Sequence, residues 1–145
     1  MVVIGEIEDV PKFSLVLLKI VSNEIFENED KAFWNCANLY KYFYSYMKHN
    51  YNFNFPLTLD NLHNECNPSK DQDGNTIPYK EWFLKFYATW GTVPVFHWSE
   101  SDTNSRKHGD NITVAPEDFG LDCIYECEVK NKDKGFLHLL PVQNI

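Results

Sequence analysis

Cys36 and His97 are the first residues in this chain whose types and order could do chemistry. A thiol becomes a nucleophile when a helix start and a nearby imidazole lower its pKa, and a third polar group, here His108 or Asp110, would fix the ring. The apolar spacing of Phe33, Cys36, Leu39 and Tyr40 argues the other way, because it puts the thiol on a core face about two turns into a helix, where it is inert. His63 and Cys66, three apart on a short helix, together with Cys123 and Cys127, are ligand types that suit zinc. Cys123 and Cys127 would lie about 13 Å apart along one strand at ~3.3 Å per residue, so one ion cannot take both, and two core thiols account for them.

A thiol on an early helix followed by a histidine on a later strand is similar to the layout of papain-like and NlpC-like cysteine hydrolases. That layout implies Cys36 as nucleophile, His97 as base and His108 as the orienting group, although no local signature of those families surrounds Cys36. A second loop, Asp71-Gln72-Asp73-Gly74-Asn75-Thr76-Ile77 followed by Glu81, places oxygen ligands at alternate positions and suggests calcium on Asp71, Asp73, Asn75 and Glu81. Thr76 stands where the sharp-turn glycine of such a loop belongs, and an Asp/Asn/Gly-rich surface turn explains the composition without an ion. No glycine-rich phosphate cradle or nucleophile elbow occurs, and no other cofactor is expected.

Charge carries the remaining functional signal. Twenty-one acidic against 13 basic side chains give a net charge of −8, which repels phosphate polymers and anionic membranes and favours a basic protein partner. Aromatic residues stand among these carboxylates: Tyr42 and Tyr46 on the long helix, Trp98 with Glu100 and Asp102, then Glu117 and Asp118, and Glu126 and Glu128 on the polar side of a strand. Aromatic anchors ringed by charge suit a protein-binding surface. The favoured expectation is a small acidic module without catalysis, an inhibitor or immunity-type protein that caps a basic partner such as a nuclease. The alternatives are the cysteine hydrolase and a structural subunit of a larger assembly.

The elements that must position these residues follow from periodicity. Val2–Ile7 reads as a first strand, and Phe13, Leu17, Ile20, Val21 and Ile25 recur at helical spacing. That apolar stretch holds Lys19, falls short of the ~20 residues of a membrane span and follows no basic cluster, so a cytoplasmic protein with reduced thiols is expected. Ala32 to about His49 predicts a long aromatic helix, Thr58 a cap for a short helix to Cys66, and Pro78 to Gly91 a further helix. Thr92–Trp98 predicts an edge strand because of Pro94, Leu121–Val129 alternates as a half-buried antiparallel strand, and Phe136–Val142 returns as the last. The expected fold is one α+β domain over residues 1–145, with three to four helices in residues 11–91 packed on a small antiparallel sheet in residues 92–142. With an aromatic content of 16%, the core needs no covalent staples.

Overall fold

Strand β1 is only Phe26–Glu27, and the chain that follows it reaches helix α1 through Asn35, whose side chain accepts a hydrogen bond from the Asn38 amide. The structure, a computed structural model, describes residues 26–139, so the strand expected at Val2–Ile7 and the helix from Phe13 lie outside it. Helix α1 passes through Cys36–Asn38, a π-helical stretch Leu39–Tyr44 and Ser45–Tyr51, and ends where Asn52 turns left-handed at φ 53°. The wider π turn sets Leu39 and Tyr44, five residues apart, into the same core as Phe43.

Leu57–Thr58 forms β2, so Thr58 is a strand residue and Asp60, whose carboxylate accepts from the His63 amide, caps helix α2 at Asn61–Cys66. Helix α3, Tyr79–Tyr87, starts after Pro78 and buries the stripe Trp82, Phe83 and Phe86. Strand β3 is Val95–Trp98 and β4 is Ile124–Cys127; short 3₁₀ turns at Lys132–Gly135 and Leu137–Leu139 stand where a last strand was expected.

Among the described residues all pairing between strands is parallel, which overturns the expected antiparallel C-terminal sheet. β1 pairs with β2 and β3 with β4, in two small two-stranded sheets. A parallel bridge between Asp60 and His97, with the His97 amide donating to the Leu59 carbonyl at 2.9 Å, joins the pairs into the sequential order β1-β2-β3-β4. β3 is therefore flanked on both sides. Pro94 sits just ahead of it, where its missing N–H costs nothing and its carbonyl accepts from the Ile124 amide.

Alternation along these strands separates two faces. Phe26, Leu57, Leu59, Phe96 and Tyr125 turn to the helices, where Phe83, fully buried, packs on Phe96 with ring centroids 5.2 Å apart. The seam between α3 and β2 closes on Thr89, whose hydroxyl accepts from the Leu57 amide and donates to the Phe86 carbonyl, while the Trp90 indole donates to the Leu57 carbonyl. Glu27, Thr58, Asp60, Val95, His97, Ile124 and Glu126 share the opposite, inner face. Among the described residues no helix is long and apolar enough to cross a membrane.

Candidate metal centre

Each short strand carries, within two residues of its carboxyl end, a residue that can bind a cation: Glu27 closing β1, Asp60 just past β2, His97 one before the end of β3 and Glu126 one before the end of β4. Parallel order brings these carboxyl ends side by side, the place where ligands bind in sheets of this kind. Helix α2 adds His63, three residues after the Asp60 cap and therefore on the same side of the first turn.

Two asparagines lock the strand ends together. The buried Asn28 side chain accepts from the Asp60 amide at 2.8 Å and donates to the Asp60 carbonyl at 3.1 Å. Asn61 does the same for Ser99, accepting from its amide and donating to its carbonyl, both at 2.8 Å. These paired bonds extend the ladder one residue beyond the strands and leave the neighbouring side chains with little freedom to move.

Glu27 is the hub. Its Oε1 lies 3.1 Å from His63 Nδ1 and its Oε2 3.2 Å from His97 Nδ1, so the two oxygens face two different imidazoles. Asp60 Oδ2 is 3.9 Å from each of the same nitrogens, and His97 Nε2 reaches Glu126 Oε2 at 3.2 Å. Glu27, Asp60 and His63 each offer a ligand atom within 4.8 Å of the others.

These contacts set the protonation states. Burial would raise Glu27, but the His63 and His97 imidazoles beside its two oxygens outweigh it and bring its pKa down to about 2. Burial would lower His63, yet Glu27, Asp60 and the Asn28 carbonyl, 2.8 Å from Nδ1, raise it to about 9. His97 rises to about 9 chiefly because of Glu27, with Asp60 and Glu128 adding to it against burial. Desolvation lifts Asp60, almost fully buried, to about 6 despite His63 beside it. His97 Nδ1 is buried and, though close to Glu27, lies off a good hydrogen-bond direction. A buried ring nitrogen without an aligned partner, surrounded by carboxylate oxygens, is the donor arrangement of a cation site.

The other expected sites fare differently. Cys36 is fully buried, its thiol donates to Asn64 Oδ1 at 3.4 Å, and burial pushes its pKa up, the reverse of what a nucleophile needs. No hydrogen bond joins it to His97, and His108 pairs with Glu128 at 3.3 Å. In the Asp71–Glu81 loop the Asp71 carboxylate is occupied by the amides of Asp73 and Asn75, the Asx-turn alternative. Glu81 stands in the first turn of α3.

Of the proposed binding residues, Tyr42 and Tyr46 are exposed on α1, whereas Trp98 packs edge-on against Tyr79 and Tyr125. Glu100 staples the loop by accepting from the Thr113 amide and hydroxyl and from the Val114 amide, and Asp102 accepts from the Asp110 amide. Glu117 receives the Tyr125 hydroxyl on its carbonyl, and Asp118 accepts from Gly120. The sequence reading missed Glu27 and Asp60. The available signal was four apolar runs, Ile-Phe, Leu-Thr-Leu, Val-Phe and Ile-Tyr, each closing on Glu, Asp or His.

No family model and no curated protein matches the chain. Among solved structures, the crystal structure of SacUVDE is similar in fold, with a TM-score of 0.54 and 18% identity over 77% of this chain. The match covers 36% of that structure, so the chain spans little more than a third of its length.

Proposed function

We propose that the chain carries a divalent-metal centre for hydrolysis, with Glu27, Asp60 and His63 as the first ligands, with His97 reached through the second oxygen of Glu27 and with Glu126 behind His97. The observation that supports it is the convergence of these five groups from the ends of four parallel strands and one helix start, around the buried His97 nitrogen. Mixed imidazole and carboxylate ligands suit zinc or manganese. A cation held there supplies a Lewis acid for a carbonyl or phosphoryl oxygen and lowers the pKa of water that it binds. Asp60 is fixed by its cap bond to His63 and by Asn28, and Glu126, two-thirds exposed, stands at the rim against His97 Nε2.

The test is thermal melting with Mn²⁺ or Zn²⁺ against chelator, followed by hydrolysis of activated esters and phosphodiesters. A site filled at 100 times its Kd adds about 2.7 kcal/mol, a clear rise in Tm. Metal-dependent turnover that chelator abolishes supports the reading. Absence of any Tm shift at millimolar ion contradicts it.

A second reading, the acidic module that binds a basic protein, rests on the aromatic patch where Phe33 and Tyr42, each about half exposed, stack at 5.5 Å with Lys41 over the Tyr42 ring. Capture of a basic nuclease by the wild type and not by Tyr42→Ala would support it.

A further inference from the structure

We propose that His108 is the general acid of the hydrolytic centre, with Glu128 as the residue that orients its ring. The inference rests on the metal-centre reading above and names the group that protonates the departing oxygen. Strand β4 sets the geometry. Exposure alternates from Ile124 through Val129, and the Glu128 amide donates to the Trp98 carbonyl at 3.1 Å, so the ladder runs one step past Cys127 and Glu128 falls on the inner face with Glu126. Two residues of strand separate these carboxylates by about 6.6 Å at ~3.3 Å each. Glu126 meets His97 Nε2 at 3.2 Å and Glu128 meets His108 Nδ1 at 3.3 Å, two carboxylate–imidazole pairs one above the other on a single strand. The charge of Glu128 also acts on His97, which puts the upper pair beside the metal centre.

The lower imidazoles are committed elsewhere. His97 faces a carboxylate on each ring nitrogen, Glu27 on Nδ1 and Glu126 on Nε2, and His63 turns Nδ1 to Glu27 and to the Asn28 carbonyl. His108 turns Nδ1 to Glu128, which leaves Nε2 for proton transfer. The backbone beside His108 is fixed on two sides. The Gly109 amide donates to the Glu100 carbonyl at 2.7 Å, and the carbonyls of Gly109 and Asp110 accept from the amides of Lys130 and Asn131, both at 3.1 Å. A side chain at Gly109 would displace the Asp102 carboxylate, since its Cβ would stand 2.6 Å from Asp102 Oδ1 while Oδ2 accepts from the Asp110 amide. An imidazole next to such a backbone is held in position before substrate arrives.

A cavity of 540 Å³, the size of a small-molecule site, lies beside the ring and is lined by His108, Glu128, Lys130, Lys132 and Phe136 among others. The charged groups around His108 are Glu128 and Lys130 from the end of β4, Lys132 and Asp133 from the turn after it, and Asp110 of its own loop, 3.6 Å from Lys130. In the reaction the oxygen of the attacking water bonds to the carbonyl carbon or phosphorus, and the bond to the leaving oxygen breaks. The leaving oxygen takes the Nε2 proton, and the proton shed by the water restores the imidazole.

The test compares esters and phosphodiesters that carry alkyl or nitrophenyl leaving groups, in Mn²⁺, for the wild type and His108→Ala. A general acid matters most where the leaving oxygen is basic, so kcat on the alkyl substrates is expected to fall by about 100-fold or more and kcat on the nitrophenyl substrates by less than about 3-fold. The wild-type profile on alkyl substrates is expected to fall at alkaline pH, as the acid loses its proton; that limb vanishes in His108→Ala and returns with added imidazole. Glu128→Gln keeps the ring but loosens its orientation, and is expected to lower kcat on the alkyl substrates alone, with KM unchanged. The Mn²⁺-induced rise in Tm is expected to be the same in all three proteins. A smaller rise in His108→Ala would make His108 a metal ligand and overturn the proposal, as would equal loss on both leaving groups or failure of imidazole to restore the rate. A wild-type Tm indifferent to Mn²⁺ removes the metal reading and this inference with it, whereas a normal rise combined with any of those failures removes His108 and Glu128 alone.

Discussion

Glu27→Gln is expected to lower the affinity of the chain for Mn²⁺ and Zn²⁺ by at least ~100-fold, since loss of even an outer-shell partner of a metal ligand costs about 10–100-fold and Glu27 is placed to touch the ion itself. The substitution also removes the carboxylate that both imidazoles share. In the metal-free wild type the histidines, raised to about 9, contribute stability that is complete below pH 6.5 and is lost as pH rises through about 9. Glu27, lowered to about 2, contributes stability present above pH 4.5 and lost as pH falls through about 2. Asp60, raised to about 6 by burial, works against these, and its penalty grows as pH rises from 3.8 to about 6. Melting in chelator should therefore show the wild-type Tm declining between pH 6.5 and 9 and the Glu27→Gln curve declining less steeply, since Asp60 and the Asn28 carbonyl still favour charged histidines. Equal metal affinity in the two proteins, or parallel pH profiles, would remove Glu27 from the centre.

Asn28→Ala has the largest expected effect on stability. The Asn28 side chain is 1% exposed and pairs with both backbone groups of Asp60, which is itself buried. Alanine leaves the buried Asp60 amide unpaired, while the Asp60 carbonyl keeps the Asn64 amide as a donor, so a loss of about 1–3 kcal/mol is expected in urea unfolding. The metal affinity falls with it, because the same bonds hold the Asp60 carboxylate against His63 and His97. A change below about 0.5 kcal/mol, the size of an ordinary surface substitution, would show that Asn28 does not tie β1 to β2.

The helical parts of this fold were legible because their signal is local. Trp82, Phe83 and Phe86 recur at helical spacing and are buried together in α3, and Leu39, Tyr40 and Phe43 are helical as their spacing put them. Helix α1 starts only at Cys36 after the Asn35 cap, with the left-handed Ala32 and then Phe33 and Trp34 ahead of it, so Cys36 opens the helix instead of lying two turns in, and the π-helical stretch had no signature. The strands were not legible as a sheet. β1 and β2 are two residues each, and their partners lie about 30 residues away without the tight turn that marks a hairpin. Exposure alternates along Ile124–Cys127, the mark of a strand with one open face, and such alternation ordinarily accompanies antiparallel pairing. The strand is parallel here and its open face is the inner one.

The site was legible residue by residue and not as a whole. His63 was paired with Cys66 as a zinc ligand and His97 with Cys36 as a catalytic base, whereas both histidines face Glu27 and Asp60. Glu126 was assigned to an acidic surface, and its partner is His97. Lone Glu and Asp residues at the ends of short apolar runs gain meaning only when parallel order sets those ends side by side.

Calorimetric titration of the chelator-treated protein with Mn²⁺ at pH 7, repeated in buffers of different ionisation enthalpy, is the most direct test of the proposed centre. His63 and His97, with pKa values raised to about 9, hold protons in the metal-free protein at that pH, and a cation that takes these nitrogens must displace them. The expected result is saturable binding with release of about one to two protons per chain and no such heat in Glu27→Gln. Absence of binding, or binding whose heat is independent of the buffer, would contradict a metal centre built on these histidines.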